Sequence, residues 1–261
     1  MSFRRWFAPI VAAVLVAVAV GCDVVPTVVT ASGNPETRDF DLTGFTGVQA
    51  AAAFRVEVTR ADVYTVKVTA DDNLWEVLDI RVSGSTLHLQ TRPGTSLRNS
   101  HLSAVVTMPS LKVIDLSGAA QADASGFDAG DDFNGTLSGA GSLEAKDVKF
   151  GRVVFDISGA GRLSGNAIFD TARFVVSGAG TVDLSGSGQS ASIVASGGSR
   201  AILSEFALQE AIVNLSGGSL ARVNARSIKS ADLSGGSRLS YLDSPTIGSV
   251  QTSGGSTIGR E

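Results

Sequence analysis

The pattern of apolar and polar positions changes character twice along this chain. Residues 8 to 20 form one apolar run. From Arg38 to about Lys112 the chain alternates with period two, the mark of strands with one buried face. Phe54-Arg55-Val56-Glu57-Val58-Thr59 alternates, breaks at Arg60-Ala61-Asp62 and resumes as Tyr64-Thr65-Val66-Lys67-Val68-Thr69, which predicts a hairpin. Ile80 to Val82, the Ser83-Gly84-Ser85 turn and Leu87 to Gln90 predict a second. Val105 to Met108, closed by Pro109, gives another strand. Asp72 to Leu78 has room for a helical turn, capped by Asp72 or Asn73.

Beyond Lys112 a repeat takes over. Eight Ser-Gly pairs recur at a nearly fixed step, at Ser117, Ser138, Ser158, Ser177, Ser196, Ser216, Ser234 and Ser253, separated by 21, 20, 19, 19, 20, 18 and 19 residues. A period near 20 held over eight copies predicts a solenoid. Three positions before each serine stand Ile114, Gly135, Phe155, Phe174, Ile193, Val213, Ala231 and Val250, and one position before it a second, nearly always apolar, residue. Five residues after it runs another apolar ladder: Ala122, Leu143, Leu163, Val182, Ala201, Ala221, Leu239 and Ile258. Gln121, Ser142, Arg162, Thr181, Arg200 and Arg238 mark the outward face of that second strand. Between the strands lies Gly-Ala-Gly or Gly-Gly-Ser, a corner that uses positive φ at low cost. Stacked serines are expected to hydrogen-bond along the ladder or to the corner backbone.

A coil of this kind cannot bury its apolar residues alone, so stacked neighbours must do it. The prediction is an all-β chain: a parallel β-helix of about eight coils over residues 113–261. Residues 38–112 form a β-rich module that caps its entry. The last coil is expected to lack a cover, which suggests end-to-end self-association.

The run from Phe45-Thr46-Gly47-Val48 through Met108-Pro109-Ser110-Leu111 to Leu116-Ser117-Gly118-Ala119, followed by tandem Ser-Gly-Ala-Gly and Ser-Gly-Gly-Ser, resembles the bacterial head GIN domain, a family labelled as auto-transporter adhesins. The resemblance covers roughly Arg38 to Ile258. It implies a β-helical envelope protein, often a lipoprotein, with no enzymatic residues to carry over. No amphipathic strands for a membrane barrel follow the last coil, so self-transport is not expected.

The first residues give an address. Arg4 and Arg5 precede the apolar run, which is too short for a membrane-spanning helix of about 20 residues. It ends in Ala19-Val20-Gly21-Cys22, which resembles a lipobox. Residues 1–21 are then a signal peptide for Sec export, and Cys22 is the lipidated first residue of the mature chain, carrying palmitate-type acyl chains. Residues 22–37 are a flexible tether, rich in Pro, Gly, Thr and Ser. Cys22 is the sole cysteine, so it has no disulfide partner and no companion thiolate for a metal. The expected location is the cell envelope, on the periplasmic or outer-surface side of a membrane.

Charge and composition narrow the function. A net charge of −4, with no basic stretch interleaved with aromatics, argues against nucleic acid. Gly159-Ala160-Gly161 and Gly178-Ala179-Gly180 lack the following helix of a dinucleotide loop, and recur because corners do. Gly178 to Asp183 approaches a calcium-repeat motif but lacks its nine-residue period. His88, outward on a strand, and His101, after a Gly/Ser/Asn-rich stretch, are surface histidines with no metal spacing. No cofactor or metal is expected. The enzymatic alternative is a carbohydrate-active β-helix, a lyase or glycoside hydrolase using Asp131-Asp132, Asp115 or Asp156, but no acid pair stands out. The favoured expectation is a non-enzymatic, lipid-anchored β-helical surface for binding, adhesion or assembly, with a protein, a glycan or another copy as partner.

Overall fold

The structure, a computed structural model, describes residues 27–261; Cys22 and the leader lie outside the described residues. The N-terminal part contains strands β1 (Thr27–Thr30), β2 (Pro35–Asp39), β3 (Gly47–Ala50), β4 (Phe54–Arg60), β5 (Thr65–Asp71), β6 (Leu78–Ser83), β7 (Thr86–Thr91), β8 (Thr95–Arg98) and β9 (Leu102–Met108). A single 3-10 turn spans Asp72–Val77; its cap is Asp71, without a side-chain bond. Part of the stretch assigned to a tether is thus strand. β1 runs parallel to β8, and β2 pairs antiparallel with β5.

The expected β6–β7 hairpin is present. The expected β4–β5 hairpin is not, because β9 lies between those strands, parallel to β4 and antiparallel to β5. The reason is general. Alternation fixes which face of a strand is buried but not which strand it pairs with, and β9 places Ala104 and Val106 beside Val56 and Val58 on the same buried face.

The solenoid grows from this base. β3 and β4 stack in parallel on β10 (Val113–Leu116) and β11 (Gln121–Ser125). The stack continues through β12 (Phe133–Leu137), β13 (Ser142–Ile157), β14 (Arg162–Val176), β15 (Thr181–Ala195), β16 (Arg200–Leu215) and β17 (Leu220–Leu233). It ends with β18 (Arg238–Tyr241), β19 (Thr246–Thr252) and β20 (Thr257–Arg260). Neighbouring rungs are parallel throughout, making a β-solenoid of about seven turns. The sheet runs unbroken from β4 into β11, across the change of rhythm near Lys112.

Each long strand turns three sides of the coil, one more than the repeat alone predicts. In β14, Leu163, Ala167, Phe169, Ala172, Phe174 and Val176 are buried, and the alternation slips at Gly165-Asn166 and again at Asp170-Thr171. Two successive outward residues in a strand mean that the backbone has bent. At the first bend Gly165 has φ 123°, and Gly186, which lies beside Ala167 in the next coil, has the same φ.

The third bend is the Ser-Gly corner, and all eight of its glycines have φ between 63° and 73°. A Cβ on Gly159 would lie 2.7 Å from the carbonyl oxygen of Gly139 in the coil below, and one on Gly178 would lie 2.8 Å from that of Gly159. The ladder also runs through the turn: the Ala160 amide donates to the Gly139 carbonyl at 2.7 Å, and the Ala179 amide to that of Gly159 at 2.7 Å. Glycine is therefore required twice, for its conformation and for the rung spacing. The serines that do the buried bonding are not those of Ser-Gly. They are Ser199, Ser219 and Ser237, three residues further on; Ser219 Oγ donates to the Ala195 carbonyl at 3.2 Å and to that of Ser216 at 2.9 Å. Where those positions are Gly161 and Gly180, a Cβ would meet the methyl groups of Ile157 and Val176 at 2.9–3.0 Å.

Phenylalanines fill the middle of the core. Phe155 lies between Phe133 and Phe174, at ring-centre distances of 5.5 Å and 6.2 Å. Gly135 makes room for it, since a Cβ there would stand 2.1 Å from the Phe155 ring.

Gly159→Val is expected to lower the unfolding free energy by about 3 kcal/mol or more, from left-handed strain plus the clash with Gly139. Arg162→Ala, on the outer face of the same coil, should stay within about 0.5 kcal/mol of the parent. Chemical unfolding followed by far-ultraviolet circular dichroism checks both.

Candidate functional site

Because the inner positions are filled, any site must lie on the outer faces. The face formed by β4, β9, β11 and the first segments of β13 to β17 carries most of the relief. Ala53, Arg55, Thr69, His101, Ser103 and Gln121 line a groove of 640 Å³. It continues into a groove of 430 Å³ lined by Arg55, Glu57, Val105, Gln121, Asp123 and Glu144. Further up, Glu144, Lys146, Asp147, Asn166, Asp183 and Glu205 border a depression of 450 Å³. These residues share a face because each is an outward position one rung from the next, as in Glu57–Asp123–Glu144.

The candidate carboxylates are engaged or apart. Asp115 and Asp156 occupy one column with Thr136 between them, two rungs or about 9.6 Å apart. Asp115 accepts a hydrogen bond from Gln49 at 3.1 Å. Asp131 lies at a separate cleft of 350 Å³ with Arg60, Ser110, Phe127 and Asp128, and accepts a bond of 2.6 Å from Ser110. Asp132 accepts from the Arg152 amide at 3.3 Å, and Asp128 pairs with Lys149 at 3.6 Å. The structure brings none of these acids into a facing pair.

Three groups have shifted titration, and each shift favours the charged form. Lys146 is raised, chiefly by its hydrogen bond to Asp123 at 2.9 Å. Asp79 is lowered, first by the hydrogen bond from Gln90 and then by Arg81. Glu36 is lowered by Arg38, with a smaller contribution from Trp75. A general acid needs the opposite shift. Trp75 is also engaged: Arg38 covers one face of its ring at 4.3 Å and its Nε1 donates to Glu36 at 3.0 Å.

His101 is exposed, whereas His88 is half-buried between Leu87 and Leu89 and its Nδ1 has no partner. The described residues hold no cluster of His, Cys, Asp or Glu fit for a metal. None of their helices is long and apolar enough to cross a membrane. The grooves around Arg55, Gln121 and His101 were not legible in the sequence, because they depend on β9 sitting beside β4.

A family model described as "Putative auto-transporter adhesin, head GIN domain" matches residues 44–245. The chain belongs to the head GIN domain family. Solved structures share its fold. A "putative lipid binding protein" from Parabacteroides distasonis is 20% identical, with a TM-score of 0.80 over 90% of this chain and 100% of the other. A "putative adhesin" from Parabacteroides merdae is 16% identical, with a TM-score of 0.80 over 90% and 99%. Another from Bacteroides fragilis is 19% identical, with a TM-score of 0.68 over 89% and 100%. A search among curated proteins found no match. This head GIN solenoid is adhesin-like in family, and most of its relief is a set of open grooves on one face.

Proposed function

We propose that this protein is a non-enzymatic, lipid-anchored component of the cell envelope whose solenoid holds a rigid surface out for binding. The observation that carries this reading is the state of the outer carboxylates. Asp131, Asp115 and Asp128 are tied to Ser110, Gln49 and Lys149, and the carboxyls with shifted titration, Glu36 and Asp79, are lowered, the opposite of what a general acid for glycan cleavage needs. The names of the related structures, adhesins and a lipid-binding protein, agree with a binding role.

Incubation with a panel of glycans is expected to release neither new reducing ends nor unsaturated uronates. Turnover abolished by Asp131→Asn or Asp156→Asn would instead establish the carbohydrate-active alternative. The anchor is Cys22, which follows a lipobox-like Ala-Val-Gly. Cys22→Ser should move the protein from the membrane to the soluble envelope fraction and abolish labelling by palmitate. A parent protein that takes up no palmitate label, or a Cys22→Ser variant labelled as strongly as the parent, would refute lipid anchoring at Cys22.

Assembly is a second reading, favoured by β19. Its seven residues are uncharged and exposed, with Ile247 and Val250 among the exposed large apolar side chains, and strand edges of this kind pair readily. Antiparallel pairing of β19 with its copy would give a closed dimer, because the other end of the solenoid is covered by antiparallel strands. Light scattering at high concentration should then give twice the chain mass, reverting to a monomer on Val250→Lys. A monomer throughout would exclude it.

A further inference from the structure

The grooved face has a second feature along its border with the Ser-Gly corner. One outward column there runs Arg55, Gln121, Ser142, Arg162, Thr181, Arg200, Leu220, Arg238 and Thr257, each residue in register with the next. In its upper part arginine returns at every second rung. Arg162, Arg200 and Arg238 therefore form a straight row at a step of about 9.6 Å, two strand spacings. All three are exposed. Among the described residues none has a side-chain hydrogen bond or ion pair, unlike Arg222, held by Glu261 at 3.2 Å, or Lys229, held by Glu210 at 2.8 Å.

The surroundings suit an elongated ligand. Each arginine follows a corner whose exposed residues are only glycine or alanine, such as Gly159-Ala160 and Gly197-Gly198, so no side chain walls off that border. The upper half of the face carries Arg162, Arg200, Arg222 and Arg238 against Asp183, Glu205 and the Glu261 that holds Arg222. In the lower half Glu57, Asp123 and Glu144 offset Arg55 and Lys146.

We infer that this row binds a linear polysaccharide bearing one carboxylate per disaccharide. This deepens the binding role proposed above and rests on it. Guanidinium groups take carboxylates in a two-point fork. The step selects among polyanions. Same-face residues of an extended acidic peptide recur at about 6.8 Å, and phosphates along a DNA strand at about 3.4 Å, so neither keeps pace with the row. In an extended glycan an acidic group on alternate sugars returns to the same side at a step of the same order as two rungs. Each exposed contact is weak alone, and three on one chain act together.

The test measures binding of the full chain, in detergent, to hyaluronan, to carboxyl-reduced hyaluronan and to poly-glutamate by biolayer interferometry. Hyaluronan should bind, more weakly as salt rises, while the reduced polymer should not and poly-glutamate should bind less well. Combined Arg162→Gln, Arg200→Gln and Arg238→Gln should cost about tenfold or more in affinity. The charge-matched set Arg152→Gln, Arg173→Gln and Arg226→Gln, from other faces, should change it by less than about twofold. Equal losses in the two sets, equal binding of poly-glutamate, or no binding of hyaluronan would overturn the inference. If the row variant alone loses binding but the parent cleaves hyaluronan, the row stands and the non-enzymatic reading fails. If the row variant binds as the parent does and nothing is cleaved, the row fails and that reading stands.

Discussion

A single contact sets the dimensions of this molecule: a glycine in the left-handed conformation resting on the carbonyl of the glycine one coil below. All eight Ser-Gly corners take this conformation, with φ between 63° and 73°, and Gly139, Gly159, Gly178, Gly197 and Gly217 make that contact. Because an added Cβ would come within about 3 Å of the backbone beneath, the corner can stack at strand spacing only without a side chain. The first coil shows the limit of the rule. There Ala52 adopts φ 60° and accepts the Ala119 amide at 2.6 Å. It can be alanine because the next corner outward is a looped connection around Pro93 to His101 rather than another tight turn.

Once the corners are fixed, the rest of each coil follows. The strands leave the corner in register, so apolar positions fall above apolar positions and the core becomes a set of ladders. Small residues absorb the mismatches, as Gly135 does for the Phe155 ring. The same registration acts on the outside. It lines up arginines from separate repeats into one row, and acids likewise, as in Glu57, Asp123 and Glu144. A solenoid of this kind turns sequence period into surface period.

Much of the solenoid was legible in the sequence because its signals are local. Glycine with serine at a fixed step reports the corner, and alternation reports the buried face. Partner choice is not local. Residues 54–59 and 64–69 look like a hairpin, yet Leu102–Met108 separates them. The third side was hidden because a bend within a strand shows only as a slip of phase, at Gly165-Asn166 or at Asp170-Thr171. The corner serines were legible as a class, but the buried bonding falls to Ser199, Ser219 and Ser237, whose hydroxyls each donate to a carbonyl of the coil below. On the surface, Arg162, Arg200 and Arg238 were legible as outward residues. That they stand unpaired in one row, and that Arg55 and His101 share a groove, required the register of the coils.

The most direct test of the stacked corner is amide hydrogen exchange at the residues after each corner glycine. Ala140, Ala160, Ala179, Gly198 and Gly218 are exposed residues, yet their amides donate to glycine carbonyls of the coil below at 2.7–2.8 Å. They should exchange as slowly as the flanking strand amides and lose protection together when the solenoid unfolds. Exchange at the rate of exposed loops, with the strands still protected, would mean that the corners merely connect the strands and do not hold the coils in register.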